Sequence, residues 1–95
     1  MKVEITPQFQ QKLQKQVLYI SADKPIAAKN FSKLIYSEIR KIKLMPYKNR
    51  ISKFFNDENF RELIVKGYAI NYEIIAIEDK IVVFGFHKWE DELIF

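Results

Sequence analysis

Cysteine is absent from this 95-residue sequence, and histidine occurs once, as His87. The lack of cysteine excludes disulfides and thiolate chemistry. A structural zinc site is disfavoured, because such sites combine several cysteine or histidine ligands. We therefore expect no metal and no other cofactor.

Long apolar runs are also absent, since no stretch approaches the roughly 20 residues that a membrane helix needs. The N-terminal residues Met1 to Pro7 lack the apolar core of a secretory signal. We therefore expect a cytoplasmic protein without membrane association. Glycine and proline are scarce, at 2 and 3 residues, whereas 48% of the chain is hydrophobic. This composition, without a repeat or linker, predicts one folded domain over residues 1–95.

Charge is unevenly distributed along the chain. Residues 1–55 contain 12 lysines and arginines against 3 acids, whereas residues 56–95 contain 4 against 9. This asymmetry indicates either a basic face for an acidic partner or a solvated helical surface.

The first half of the sequence predicts a strand followed by two helices. Residues Lys2 to Ile5 alternate between charged and apolar side chains, and Pro7 ends this alternation. The pattern is typical of a short strand near a sheet edge. Thr6 is placed to cap a helix that runs to about Ile20. Its apolar stripe comprises Phe9, Leu13, Val17 and Ile20.

The second helix begins at Pro25, with Asp23 or Lys24 at the cap, and runs to about Leu44, before Pro46. Its apolar face comprises Ala27, Ala28, Phe31, Leu34, Ile35, Ile39 and Ile42. The two alanines predict close packing against the first helix in an antiparallel hairpin.

The second half predicts antiparallel strands. The candidates are Ile51 to Phe55, Phe60 to Val65, Tyr68 to Ile74 and Ile81 to Phe86. Lys66-Gly67 and the break at residues 78–80 supply hairpin turns. Tyr68, Ile70, Tyr72 and Ile74 should form a buried face. The fold class is thus α+β: an N-terminal strand, a two-helix hairpin and a three- to four-stranded antiparallel sheet. The segment from His87 to Phe95 is either a short helix or an unpaired tail.

These elements, in this order, resemble the RelE/ParE superfamily of toxins from type II toxin–antitoxin systems. The resemblance covers nearly the whole chain and lies in Tyr19-Ile20, Pro25-Ile26-Ala27-Ala28, Phe31, Ile35, Leu44-Met45-Pro46, Phe60-Arg61-Glu62-Leu63, Tyr68-Ala69-Ile70-Asn71-Tyr72 and Ile81 to His87. It implies a growth inhibitor that a cognate antitoxin neutralises. Some members of the superfamily cut messenger RNA on the ribosome, and others poison DNA gyrase.

The central strand bears on the choice between these branches. Nucleolytic members resemble Tyr-Arg-Leu-Val-Tyr there, with the arginine contacting phosphate, whereas this chain has Ala69 at that position. Ala69 and the region from Pro25 to Ala28 therefore favour the ParE-like, non-nucleolytic branch. The alternative is a metal-independent mRNA endoribonuclease, in which the candidate catalytic residues are His87, Arg61, Lys53 and Lys88.

Two of these candidates have structural alternatives. His87 would act as a general acid, or it forms a hydrogen bond at the end of the sheet. Arg61 faces the groove beside His87, or it pairs with an acid such as Glu73 across the strands.

A basic cluster follows the second helix and is our candidate surface for antitoxin or target. It comprises Arg40, Lys41, Lys43, Lys48 and Arg50. Cations near a helix C-terminus also complement its dipole, so part of the cluster has a structural explanation. A third hypothesis, a basic RNA- or DNA-binding module without toxicity, rests on this charge alone.

Overall fold

The chain forms a five-stranded mixed sheet with two helices on one of its faces. The computed structural model describes residues 1–89. In chain order the elements are β1 (Lys2–Ile5), α1 (Pro7–Ser21), α2 (Pro25–Ile42), β2 (Arg50–Ile51), β3 (Phe60–Val65), β4 (Tyr68–Ile75), a 3-10 turn (Ala76–Glu78) and β5 (Lys80–Lys88). The strand order across the sheet is β1-β5-β4-β3-β2.

The sheet contains one more pairing than the sequence predicted. Strands β2 to β5 are antiparallel, as expected, and β1 joins the same sheet in parallel beside β5. The α+β class and the edge position of β1 are confirmed. Within residues 1–89 the sheet has five strands, because the chain leaves β1, passes through both helices and later places β5 beside β1.

Helix α1 begins as predicted. Thr6 lies at the N-cap, where its Oγ1 accepts a hydrogen bond from the Phe9 backbone N at 3.2 Å, and Pro7 occupies the first turn. Phe9 and Leu13 are buried, whereas Val17 is partly buried against the same core. The apolar stripe therefore holds α1 against the sheet.

Helix α2 begins at Pro25 behind Lys24 and ends at Ile42, two residues before the predicted end. The backbone then forms turn hydrogen bonds, from Leu44 N to Lys41 O at 3.1 Å and from Met45 N to Ile42 O at 3.2 Å. Pro46 disfavours the helical conformation at the residue before it, Met45, which accounts for the earlier end of α2. The expectation that both alanines pack inward was half wrong: Ala28 is buried but Ala27 is exposed.

Aromatic rings connect the helices to the sheet. Phe9 of α1 meets Phe86 edge to face at 5.7 Å between centroids, and Phe31 of α2 meets Tyr68 at 5.2 Å. The predicted buried face of β4 is confirmed, since Tyr68, Ile70, Tyr72 and Ile74 all belong to this core or pack against it.

The segment before β3 differs from its prediction. We expected a strand from Ile51 to Phe55, but β2 covers Arg50–Ile51 only. The Ser52 hydroxyl accepts a hydrogen bond from Phe54 N at 3.3 Å, which turns the backbone out of the sheet. The predicted C-terminal helix or tail falls mostly on residues 90–95, outside the described residues.

Candidate functional site

The strand register assigns the candidate side chains to two faces of the sheet. Residues directly opposite each other in a pair of strands point to the same side. The helix-bearing face includes Arg61 opposite Tyr72, and Lys88 opposite Tyr68. The other side, here called the back face, carries Arg50, Glu62, Ile64, Ala69, Asn71, Gly85 and His87.

A polar row crosses four strands of the back face. Arg50, Glu62, Asn71 and Gly85 are successive register partners. The Glu62 carboxylate is fully buried, and its Oε1 lies 2.6 Å from a terminal guanidinium nitrogen of Arg50. Breaking such a pair is costly, because it leaves a buried charge without its counter-ion.

Asn71 and Gly85 fit each other closely within this row. A Cβ at Gly85 would lie 2.9 Å from Asn71 Nδ2, so glycine is the residue that leaves room for the amide. Asn71 Oδ1 is buried without a hydrogen-bond partner among residues 1–89.

Aromatic side chains flank the polar row. Phe55 and Phe60 are stacked with centroids 4.2 Å apart, and Phe84 meets Phe60 edge to face at 6.0 Å. Phe84 reaches this face because the register shifts beside it: Asn71 pairs with Gly85 and Tyr72 with Val83. The result is a small apolar cluster on the face opposite the helices.

Two cations lie against Trp89. The Arg50 Cζ lies 4.0 Å from the indole centroid and the Lys53 Nζ lies 5.0 Å from it, both within cation–π range. The Trp89 backbone N donates to the Gly67 carbonyl at 2.8 Å, which fixes the end of β5. Half-buried His87 meets the Phe54 ring edge to face at 5.7 Å.

The four candidate catalytic residues do not converge. His87 lies on the back face, where Lys53 contacts Trp89, whereas Arg61 and Lys88 lie on the helix-bearing face. The register partner of His87 is Ala69, a buried methyl group.

Glu73 shares the back face with His87 but not its neighbourhood. It lies four residues beyond Ala69 along β4, or about 13 Å at the usual strand rise. A direct proton relay between these two side chains is therefore excluded in this arrangement.

Arg61 holds the loop that follows α2 instead of facing a groove. Its Nε donates to the Glu58 carbonyl at 2.6 Å, and one terminal nitrogen donates to the carbonyls of Tyr47 at 3.2 Å and Asn49 at 3.0 Å. The guanidinium also lies over the Tyr47 ring, 5.2 Å from its centroid. Neither sequence-based alternative for Arg61 describes this role.

Tyr72 also binds the loop that follows α2. Its hydroxyl donates to the Pro46 carbonyl at 2.6 Å and accepts from Asn49 Nδ2 at 3.1 Å. Burial raises the pKa of Tyr72 above its ordinary value of 10.0, against smaller lowering effects of Asn49 and Arg61. The alternation of β4 predicted a core tyrosine, but no local pattern indicates hydroxyl partners that lie more than 20 residues away in sequence.

The five basic residues predicted as one surface occupy three places. Arg40 and Lys43 line a groove of about 380 Å³ beside β1, and Lys41 and Lys48 line another of about 210 Å³ beside β3. Arg50 lies on the back face. Lys41 also forms an ion pair with Glu38 at 3.5 Å. The five residues therefore do not line one common groove.

Within residues 1–89, neither helix has the length and apolar character needed to cross a bilayer. The same part of the chain contains no group of three or more acidic or histidine side chains arranged to hold a metal ion.

Comparison with known proteins identifies the family. A comparison with curated proteins returned no match. The family model described as the ParE toxin of the type II toxin–antitoxin system parDE matches residues 3–88, which include every helix and strand described above except Lys2, the first residue of β1. The chain therefore belongs to the ParE toxin family, within the RelE/ParE superfamily of type II toxins.

Proposed function

We propose that this toxin acts by binding DNA gyrase and inhibiting it, and that it does not cleave messenger RNA. One observation carries the proposal: the register partner of the single histidine is Ala69. Nucleolytic relatives resemble one another in placing a phosphate-binding arginine at that position. A methyl group can neither neutralise a scissile phosphate nor stabilise the charge that develops on it.

The remaining cations support the same function. RNA cleavage requires a base, an acid and a positive group around one phosphate. Arg61 already donates to three backbone carbonyls, and its strand position directs it away from His87. Lys88 is exposed on that same helix-bearing face. Inhibition by binding needs no such convergence.

A ribosome-dependent endoribonuclease is the second candidate. It is favoured by the position of Lys53 and Phe54 on the same side of the sheet as His87, where a cation and an aromatic ring would meet an RNA strand. In this function His87 would be the general acid.

Two assays on the same protein distinguish these candidates. The toxin is expressed briefly from a tightly repressed promoter while the 5′ ends of cellular transcripts are mapped, and purified toxin is added to a gyrase supercoiling reaction. We expect inhibited supercoiling and intact transcripts. Cleavage within translated codons, with gyrase unaffected, would overturn the proposal in favour of the nuclease. A toxin that does neither would refute both candidates.

A further inference from the structure

The edge of the sheet at β1 exposes backbone hydrogen-bonding groups. β1 is an outer strand, and within residues 1–89 it has a strand beside it on one side only, which is β5. Lys2 N donates to the Asp79 carbonyl at 3.0 Å, and Thr6 N also donates to β5 at 3.0 Å. Successive residues of a strand direct their backbone groups to opposite edges. The N–H and C=O groups of Val3 and Ile5 therefore point away from β5, toward the open edge.

The side chains of β1 have a charge pattern that complements itself. Val3 and Ile5 pack against the helix-bearing core, so Lys2 and Glu4 point to the back face. Lys2 is exposed, and Glu4 keeps 41% of its side chain exposed while it pairs with Lys80 at 3.3 Å. In an antiparallel pair of β1 strands with Val3 opposite Val3, Lys2 of each copy lies opposite Glu4 of the other. Unlike charges in this position attract, and two-fold symmetry forms the pair twice.

Backbone geometry and charge together select this register. Residues that expose their backbone groups at the edge must lie opposite residues that do the same, so odd positions pair with odd and even with even. A two-fold axis at Lys2 would place lysine opposite lysine, and one at Glu4 would place glutamate opposite glutamate. An axis at Ile5 would pair Val3 with Pro7, which belongs to α1. The axis at Val3 alone gives attraction without leaving the strand.

The same register joins apolar side chains on the helix-bearing side. The Val3 N–H of each copy donates to the Val3 carbonyl of the other, and the Ile5 N–H donates to the Met1 carbonyl. The Met1 side chain, which is 38% exposed, then lies opposite Ile5 of the other copy. Tyr36 and Ile39 line the groove of about 380 Å³ beside β1. Met1 of one copy therefore extends the apolar lining of this groove in the other.

We propose that two copies of this toxin associate through β1, antiparallel and with Val3 on the two-fold axis, into one continuous sheet. The paired segment is short, so the dissociation constant should lie in the micromolar range that is typical of small interfaces. A second copy fits this edge better than an acidic segment, because such a segment would meet Glu4 as well as Lys2. The inference goes beyond the proposed function and is independent of the cellular target.

Amide hydrogen exchange tests the register on the unmodified protein. Sedimentation equilibrium of purified, antitoxin-free toxin first gives the dissociation constant. Exchange is then followed by NMR at about one tenth of this concentration and at about ten times it. The Val3 and Ile5 amides should exchange about fourfold more slowly in the concentrated sample, which is the factor by which the monomer fraction falls. The Thr6 amide, which already donates to β5, should not change.

Substitutions in β1 test the charge pairing and the backbone pairing separately. Glu4→Lys places lysine opposite lysine at both pairs. Combining it with Lys2→Glu restores unlike charges and keeps an acid beside Lys80, the register partner of Lys2. Val3→Pro removes the N–H at the axis but no bond to β5, since that N–H points outward. Asp23→Lys, at an exposed position between the helices, is the control with the same change of net charge as Glu4→Lys.

Sedimentation equilibrium measures each variant, and thermal midpoints of dilute samples report whether the monomer is folded. Glu4→Lys should raise the dissociation constant at least about tenfold, because two attractive pairs become repulsive. The double variant should return to within about threefold of the wild type. Val3→Pro should also weaken the dimer at least about tenfold, and Asp23→Lys should leave it unchanged.

Five results would overturn the proposal. A wild-type toxin that stays monomeric at millimolar concentration would exclude the dimer. A dimer that neither Glu4→Lys nor Val3→Pro weakens would use another surface. Equal weakening by Asp23→Lys would assign the effect to net charge, and a double variant that does not recover would refute the register. Exchange at Val3 and Ile5 that slows only when purified antitoxin is added would assign this edge to the antitoxin. If Val3→Pro fails to fold, exchange in the wild type still decides the inference.

Discussion

At the scale of single residues, Tyr72 and Arg61 do more than fill or flank the core. Each lies on the sheet and binds backbone carbonyls of the loop that follows α2. Each of these loop carbonyls accepts a hydrogen bond from a strand side chain and does not need a water molecule as its donor. These two side chains determine where the exposed residues of that loop are presented.

Replacing Tyr72 with Phe tests the contribution of its hydroxyl to holding this loop. We expect the free energy of unfolding at neutral pH to fall by about 1–3 kcal/mol, because the Pro46 carbonyl and the Asn49 amide lose their partner. Urea denaturation provides the measurement. Tyr19→Phe is the control, since Tyr19 is 75% exposed and should leave stability unchanged.

The pH dependence of the same pair of variants has a defined sign. Burial raises the pKa of Tyr72 in the folded state above 10.0, so the fold favours the protonated phenol. The stabilisation is complete below pH 10.0 and is lost as pH rises through the folded pKa. The advantage of the wild type over Tyr72→Phe should therefore shrink as the pH is raised above 10.0. A constant advantage across this range would contradict burial as the cause.

His87 provides a second residue-scale prediction. If the toxin acts by binding gyrase, His87→Ala should retain most of its growth inhibition and its supercoiling inhibition, because no proton transfer is involved. Both are measured alongside antitoxin affinity, which reports an intact fold. Lost toxicity with normal antitoxin binding would support the endoribonuclease instead.

At the scale of elements, the C-terminal end of α2 concentrates positive charge. Arg40, Lys41 and Lys43 are all exposed there, at the end where cations complement the helix dipole. Their side chains border two grooves, one beside β1 and one beside β3. We propose that this end of the helix supplies long-range attraction for an acidic antitoxin.

Charge reversal tests the attraction. We expect simultaneous Arg40→Glu, Lys41→Glu and Lys43→Glu to weaken antitoxin binding at least about tenfold, since each exposed pair contributes up to about 1 kcal/mol. The salt dependence of the affinity should also become shallower. Titrations at several salt concentrations measure both effects.

A matched triple variant controls for net charge. Lys12, Lys15 and Lys29 are equally exposed but lie elsewhere on the helices, so their reversal should change affinity little. Thermal midpoints of both triple variants are compared, because acids near a helix C-terminus also weaken the helix. Equal losses of affinity in the two variants would point to net charge and not to this surface.

At the scale of the whole molecule, the first and last strands are neighbours. β1 pairs in parallel with β5, and Lys80 Nζ lies 3.3 Å from a Glu4 carboxylate oxygen. Hydrogen bonding to Glu4, and then to Glu78, raises the pKa of Lys80. We propose that residues 1–95 form one cooperative domain, since neither β1 nor β5 can leave the sheet without uncovering the other.

Unfolding experiments test this cooperativity. Ile5→Ala should lower the free energy of unfolding by about 2 kcal/mol, because Ile5 packs partly buried against the core. The far-UV and near-UV circular dichroism transitions should shift together. Lys2→Ala, at an exposed position of the same strand, is the control. Separate transitions at the two wavelengths would show that β1 and β5 unfold independently.

Local patterns in the sequence determined the order of the elements. The Thr6 cap and Pro7 begin α1, period-two alternation defines β4, and Lys66-Gly67 forms the turn between β3 and β4. Each of these signals acts within a few residues, which is why the sequence suffices for it. The family resemblance rested on the same order and spacing.

Only the tertiary structure decided which candidate residues meet. The register places His87 opposite Ala69 and turns Arg61 to the other face, and a one-residue shift would reverse either assignment. Trp89 meets Arg50 across 39 positions of sequence. The sequence alone does not specify such contacts, because the free energy that selects them comes from burial and pairing between distant strands and not from local conformational preference.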